Sequence, residues 1–547
     1  MTLMLRFLPL LLATLALACQ SRPPKRDLAT PGDAPTSSTK TLEARGTKPD
    51  NAYGPPGQVL NRFAYIPPQC YARTQAVSGK PARNPCFTCH IDSAPPNYVA
   101  DGELQLLRKL PSGALKNAWL NLFDPPVRRM PAVTDEAVLR HVRASNYFVD
   151  GRVALADALR SLPAAWDGQG DGRWDGFVPD VEYRFDEDGF DLRADGTETG
   201  WRAFAYYPLP GAFMPTNGSA GDVLIRLPAA FRQDASGKPD RSVYVANLAI
   251  VEALVRATRG RAAALHYEGK ARALEESGEQ PIAPGLFPVG TEFFHTVRYL
   301  DVTDTGDVVP AARLQELRYA KKQRWYTPAD LKAVVEGEAR EQAKSEDGSR
   351  PVLWAFDRGI DNGQGWNLQG FIEDASGSLR PQTFEESAYC AGCHGGVGRT
   401  TDSIFSFSRK LSGDAPSHGW FHFSQRALAG VPEPRLGDGS YEYSEYLRQA
   451  RGGDDYGENE EVRRRFFGQA GELRPEALAK LHRDVTWLLL PSPERALGLD
   501  RAYLATVREQ SFTRGRDTLP AALHEVMAQA TPDERTGVTR ALRWFRN

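Results

Sequence analysis

Four of the six cysteines of this 547-residue chain fall in two short units, Cys86-Phe87-Thr88-Cys89-His90 and Cys390-Ala391-Gly392-Cys393-His394. C-x-x-C-H is the spacing that attaches a c-type haem. Two intervening residues make a turn that lets both sulfurs reach the vinyl groups along one edge of a porphyrin. The next residue, a histidine, then lies under the iron. A zinc site is the rival reading. One C-x-x-C cannot complete a tetrahedral site, and two distant halves would have to share one ion, although each carries its own histidine. The remaining cysteines, Cys19 and Cys70, do not supply the even-numbered framework of a disulfide-built protein.

The two units resemble those of di-haem c-type cytochromes. The resemblance rests on Cys86, Cys89, His90, Cys390, Cys393 and His394 and covers two motifs, not the whole chain. It implies two covalently bound haems with His90 and His394 as proximal iron ligands. A more distant resemblance, to the di-haem cytochrome c peroxidase group, implies an oxidoreductase in which one haem takes electrons and the other keeps an open iron. The separation of the two motifs is longer than in those peroxidases.

The second axial position of each iron separates an electron carrier from an enzyme. For the first haem the candidate is Met130, in a Met-Pro pair downstream of the motif, with His141 next. For the second, His295, His418, His422 and His482 compete, and His295 is taken as the candidate. It shares a strand face with Phe293, Val297 and Tyr299, where a buried histidine needs a partner. Cys70 is read as a buried free thiol, with thiolate ligation of iron as the rival.

A second chemistry is spelled by Trp166-Asp-Gly-Gln-Gly-Asp-Gly-Arg-Trp-Asp-Gly176. Asp167, Gln169, Asp171 and Asp175 alternate as oxygen donors around Gly172, as in a short calcium loop. Gln169 lowers the charge, and Val178 stands where the usual glutamate would. Solvated acidic turns are the plain alternative.

The elements that must position these residues begin with a leader. Residues 1–18 carry Arg6 and an apolar run of about a dozen residues, too short to span a bilayer and of signal-peptide length. The run ends at Cys19, a context resembling a bacterial lipobox, which implies lipidation of Cys19 and export. Gln20 in place of Asp favours the outer membrane. Residues 19–61 are rich in Pro, Ser, Thr and charge and read as a flexible tether. Formal net charge is −2, so nothing points to nucleic acid. The partners expected are redox proteins of the periplasm or membrane.

The folded part divides by texture into three. Residues 62–165 form an N-terminal haem region with short helices at "GELQLLRKL" and "TDEAVLRHVRASNY". Residues 166–310 form a β-rich middle, with strands at "DVEYRF", "GWRAFAYYPL", "DVLIRL" and "TEFFHTVRYLDV". A helix there places Val245, Leu248, Val251 and Val255 on one face. Residues 311–547 form a C-terminal haem region with helices at "YTPADLKAVVEGEAREQA", "PEALAKLHRDVTWLLL" and "PAALHEVMAQA". The fold class expected is α+β, two mainly helical cytochrome c-like haem regions around the β-rich middle. The function expected is electron transfer by a lipid-anchored di-haem protein facing the periplasm. The rivals are a peroxidase-like oxidoreductase and a ligand-binding or sensing module that carries haems.

Overall fold

Aromatic and β-branched runs between residues 190 and 381 pair into one antiparallel sheet of nine strands. In chain order these are β1 (Phe190–Leu192), β2 (Glu198–Phe204), β3 (Ala220–Arg226), β4 (Glu292–Val302), β5 (Val308–Lys322), β6 (Leu353–Ala355), β7 (Gly359–Asp361), β8 (Trp366–Glu373) and β9 (Leu379–Pro381). The spatial order is β1-β2-β3-β4-β5-β8-β7-β6, and β9 pairs along the far half of β8. In this computed structural model the described residues run from 61 to 543. Segments 76–82, 93–98, 168–169, 205–206, 212–216, 257–264, 345–352, 356, 405–428 and 437 lie outside the description. The sheet crosses residue 310, where the β-rich middle was expected to end, because β4 and β5 are a single long hairpin. Its turn closes through Thr303 N donating to Asp307 O at 2.9 Å, with Gly306 at φ +85°.

Successive side chains on a strand point to opposite faces. Val223, Ile225 and Phe293 pack on one core, and Leu224 and Phe294 on another that includes Trp201, Leu317 and Phe371. Both faces are covered, so the central strands read as near-continuous apolar runs rather than alternating ones.

Helix α1 (Asp135–Arg143) starts at Thr134, whose hydroxyl accepts from Ala137 N, as its sequence predicts. Helix α2 (Arg241–Arg256) covers the first face, but its buried stripe is Tyr244, Leu248, Val251 and Val255. Val245 is 40% exposed and Tyr244 takes the place expected for it. The tyrosine hydroxyl donates to Gly200 O and accepts from Leu227 N, and so anchors α2 to the sheet. Helix α3 (Pro328–Lys344) opens on Thr327, which exchanges hydrogen bonds with Asp330 as a capping pair. Helix α4 (Phe384–His394) leads out of β9. Helices α5 (Glu442–Ala450) and α6 (Pro493–Glu509) follow, and α6 packs Tyr503 and Val507 with Val138 and Val142 of α1.

The overall class is α+β with a β-rich middle. The N-terminal part is not mainly helical, however. Much of it consists of short 3-10 turns, at Pro68–Tyr71, Pro85–Thr88 and Gly102–Gln105 among others. The stretch Pro520–Ala530 is irregular instead of helical, with isolated bridges at Val526 and Gln529. Its backbone bonds go to the N-terminal part: Leu523 N to Leu122 O, Met527 N to Tyr71 O, and Arg73 N back to Glu525 O. Tertiary pairing overrides its helix propensity. All described residues fall in one compact unit.

The face of α2 yields a first test. Leu248→Ala, at a fully buried position, should cost about 2–5 kcal/mol in denaturant unfolding. Val245→Ala should stay within about 0.5 kcal/mol. Equal losses would put the wrong face inside.

Candidate functional site

The second unit is built by the end of α4. Residues 390, 393 and 394 stand at i, i+3 and i+4, so Cys390, Cys393 and His394 share one face of the helix. The helix starts with a capping box between Thr383 and Glu386. Glu386 is also gripped from both oxygens by Arg380, at 2.7 and 2.8 Å, with both side chains sealed from solvent. At the other end, orphan helix carbonyls are met by side chains. Asn362 Nδ2 donates to His394 O at 2.9 Å and Gln364 Nε2 to Gly395 O at 3.0 Å. The middle residue of the motif has to be glycine: a Cβ on Gly392 would lie 2.2 Å from Tyr65 O.

The first unit is a single helical turn. Pro85–Thr88 is a 3-10 turn, and His90 N donates to Cys86 O at 2.9 Å, which again brings Cys86, Cys89 and His90 to one side. Phe87 stacks on Tyr446 of α5 at 5.5 Å and fixes the turn from below.

Each histidine is oriented through Nδ1. His90 Nδ1 meets Asp101 Oδ2 at 2.8 Å, and His394 Nδ1 meets Ser403 O at 3.2 Å. An imidazole whose Nδ1–H is held by an acceptor turns Nε2 towards a metal. The Ser403 carbonyl is itself set by strained backbone, since Asp402 and Ser403 have φ of +50° and +60°. Asp402 is held there by Lys322 Nζ at 2.6 Å and by Phe287 N at 3.0 Å. The pair is almost fully buried, and the ammonium also lies 4.9 Å from the Trp325 ring centre.

The two units, three hundred residues apart in sequence, form one centre. Asp101 Oδ1 accepts from Ile91 N at 3.0 Å and from Gly398 N at 3.2 Å, and Arg399 N donates to Cys89 O at 3.1 Å. The thiols of Cys89 and Cys393 are close enough to feel each other's charge, and Cys70 lies near both of them and near His90. All these groups lie deep in the fold, yet Cys86, Cys89, Cys390, Cys393 and both histidines keep part of their surface accessible. His90, for instance, retains 19% of its side chain.

Burial pushes the thiols of Cys86, Cys89 and Cys390 up, and that of Cys393 up to about 12. The site therefore disfavours thiolates. A thioether sulfur carries no charge and meets no such penalty. His90 differs from His394. Burial opposes its charge, but the hydrogen-bonded Asp101 carboxylate and nearby Cys70 outweigh this and raise it well above the usual range. His394 is held down at about 4 by burial and the Arg318 guanidinium, against the Ser403 carbonyl.

His295 lies on β4 opposite Arg318 of β5, close enough to His394 that the two imidazoles repel when charged. Burial, Arg318 and His394 together lower it to about 3, so it stands neutral. His295 thus lies within electrostatic reach of His394. The Met130 thioether is half-exposed and accepts from Arg508 of α6 at 3.4 Å, and no described contact links it to His90. His141 pairs with Glu373 at 3.3 Å, in a buried group with Arg313 and Tyr299. His482 stacks on Tyr441 at 3.6 Å and meets Ser444 Oγ at 3.2 Å. His418 and His422 lie outside the described residues, as does Cys19.

In the calcium-loop candidate, Asp167 accepts from the backbone N–H groups of Gly170, Asp171 and Gly172, and Asp175 pairs with Arg358 at 3.3 Å. Gln169 lies outside the described residues. Among the described residues, no group of three or more His, Cys, Asp and Glu side chains is placed to hold a metal ion. Asp101, Ser403, Lys322, Asp402 and Arg318 carried no motif that sequence reading could have found.

A family model whose description is that of a lipoprotein matches residues 56–480, a stretch that includes both units. The chain belongs to this lipoprotein family. It is also 29% identical over 531 residues to an uncharacterized lipoprotein of Aquifex aeolicus (strain VF5), covering 84% of this chain and 86% of the relative. No solved structure matches. The family assignment drawn from the two motifs is thereby corrected. The chain is not placed with the di-haem c-type cytochromes or the cytochrome c peroxidase group, because the similarity that spans the fold is to lipoproteins. The protein is exported and anchored to a membrane by lipid. Among the described residues no helix is long and apolar enough to cross a membrane.

Two tests follow from this geometry. Glu386→Ala removes the cap of α4 and strands a buried guanidinium, and should cost about 3–5 kcal/mol by denaturant unfolding. A loss below about 1 kcal/mol would mean Arg380 finds water. Glu433, whose carboxylate accepts from Ser444 N and Oγ at the start of α5, is pushed up to about 7 by burial, against those hydrogen bonds. The folded state binds this proton more tightly than the unfolded chain. Its contribution to stability is therefore full below about pH 4.5 and lost as pH rises towards 7. Stability curves measured across that window should flatten in Glu433→Gln.

Proposed function

We propose that this lipoprotein moves electrons on the periplasmic side of a bacterial membrane. One haem is attached through Cys86 and Cys89 and another through Cys390 and Cys393. His90 and His394 serve as the iron ligands on the attachment side, and Cys19 carries the lipid. The observation that carries this reading is the repeated construction of the two units. Each places two cysteines and a histidine on one side of a helical turn, each ties down the histidine Nδ1, and each surrounds its thiols with an environment hostile to thiolate. Bound haem supplies a one-electron couple within the protein. The chain's own residues do the rest. Asp101 and the Ser403 carbonyl hold the imidazoles in place, and the bonds from Gly398 and Arg399 keep the two units in contact, an arrangement that would suit electron exchange between groups bound there. His295 is the ligand proposed for the far side of the second iron. The outer membrane, favoured by Gln20, is the proposed location. Redox proteins at that surface are the proposed partners.

The test is the mass of the full-length mature protein, produced in a bacterial host that attaches haem covalently, after denaturation and washing. Two covalently retained haems are expected, one lost when Cys86 and Cys89 are changed to alanine and the other when Cys390 and Cys393 are changed. A mass equal to the lipidated polypeptide alone would overturn the proposal.

A further inference from the structure

The two histidines are not held alike. We propose that the His90 unit has the lower reduction potential and the His394 unit the higher, so that electrons run from the first to the second. This rests on the haem reading above, and the difference comes from the protein. The partner of His90 Nδ1 is a full carboxylate charge, Asp101 Oδ2 at 2.8 Å, and Asp101 is only 8% exposed. The partner of His394 Nδ1 is a neutral carbonyl, Ser403 O, at 3.2 Å. A carboxylate on the far nitrogen makes an imidazole a stronger electron donor, which favours the oxidised metal and lowers its potential. A carbonyl does so more weakly.

The surrounding charges point the same way. Cys89 of the first unit feels the Asp101 carboxylate, and the Arg108 guanidinium that Cys86 feels is paired with Glu534 at 3.4 Å. Cys390 and His394 of the second feel Arg318, and Cys390 also feels Arg516. Glu316 pairs with both arginines, at 2.7 and 3.2 Å, so one carboxylate faces two guanidinium groups and the balance stays positive. Negative charge stabilises the iron that has lost an electron, and positive charge the one that has gained it. The effect is strengthened inside a protein, where screening is weaker than in water. In the transfer, one electron leaves the His90 unit and one arrives at the His394 unit. No bond is made or broken, and neither Nδ1–H hydrogen bond changes partner. Asp101 is thus a positioning residue that also sets direction.

Spectroelectrochemical titration of the full-length mature protein tests this. Two one-electron waves are expected. Asp101→Asn should shift the lower wave to higher potential and leave the upper in place, and Asp101→Glu should restore it. Arg318→Gln, which leaves Arg516 on Glu316, should shift the upper wave down without moving the lower. A single unsplit wave would overturn the proposal. So would an Asp101 variant that moves the upper wave or an Arg318 variant that moves the lower. A protein that retains no covalent haem would instead remove the reading beneath it, and the mass measurement separates that failure from this one.

Discussion

One carboxylate holds the site together. Asp101 accepts from His90 Nδ1 with one oxygen and from the backbone of Ile91 and Gly398 with the other, so a single side chain joins the first unit to the segment that follows the second. The approach at Gly398 is tight: a Cβ there would lie 2.2 Å from Ile91 O and 2.4 Å from Asp101 Oδ1. Hydrogen bonds to a charged acceptor are the strong ones, and a buried carboxylate with three donors has little reason to move. Without Asp101 the imidazole loses its orientation and the two units lose a shared anchor. That contact closes a chain separation of nearly three hundred residues, which the sheet makes affordable by bringing β4, β5 and β8 beneath α4.

The sheet also carries the charges that define the second unit. Arg318 stands on β5 opposite His295 on β4, and Lys322, at the end of β5, holds the strained Asp402–Ser403 turn that faces His394. Buried ion pairs of this kind add little net stability, because desolvation offsets most of the attraction, but they fix geometry when one arrangement satisfies every partner. Lys322 with Asp402, Arg380 with Glu386, and Arg516 with Glu316 and the Glu386 carbonyl are all of this type, and all lie around α4. The fold has placed its costliest interactions next to the residues whose positions matter.

What the sequence disclosed was local. The two Cys-Cys-His units, the caps at Thr134 and Thr327, and the strands at Asp222–Leu227 and Thr291–Val302 rest on spacing and propensity within a few residues, and the structure forms those elements where such rules put them. His295 was singled out because a histidine among aromatics on a strand face needs a partner, and it lies beside His394. What local rules do not weigh is long-range. Met130, in a local Met-Pro pair, lies on a loop that runs to α6. Tyr244 displaced Val245 because its hydroxyl finds partners on the sheet, which periodicity alone does not weigh. Pro520–Ala530 has helix-forming residues but pairs with Tyr71 and Leu122. The aspartates of 167–175 have calcium spacing, and of these Asp167 accepts from its own backbone while Asp175 pairs with Arg358.

The correction of the family follows from the same distinction. A C-x-x-C-H unit occupies five residues and can sit on any scaffold that offers one helical turn, whereas the similarity to lipoproteins extends over residues 56–480. Fold and site are separate kinds of evidence, and function has to be argued from the site. Here the first unit sits on a 3-10 turn clamped by α5, and the second on the last turn of a capped α-helix that leaves a β-strand. Two different local structures present the same three side chains in the same relative order. The repetition lies in the chemistry presented, not in the backbone that presents it, and for that reason the haem proposal stands on the site even though the family name does not supply it.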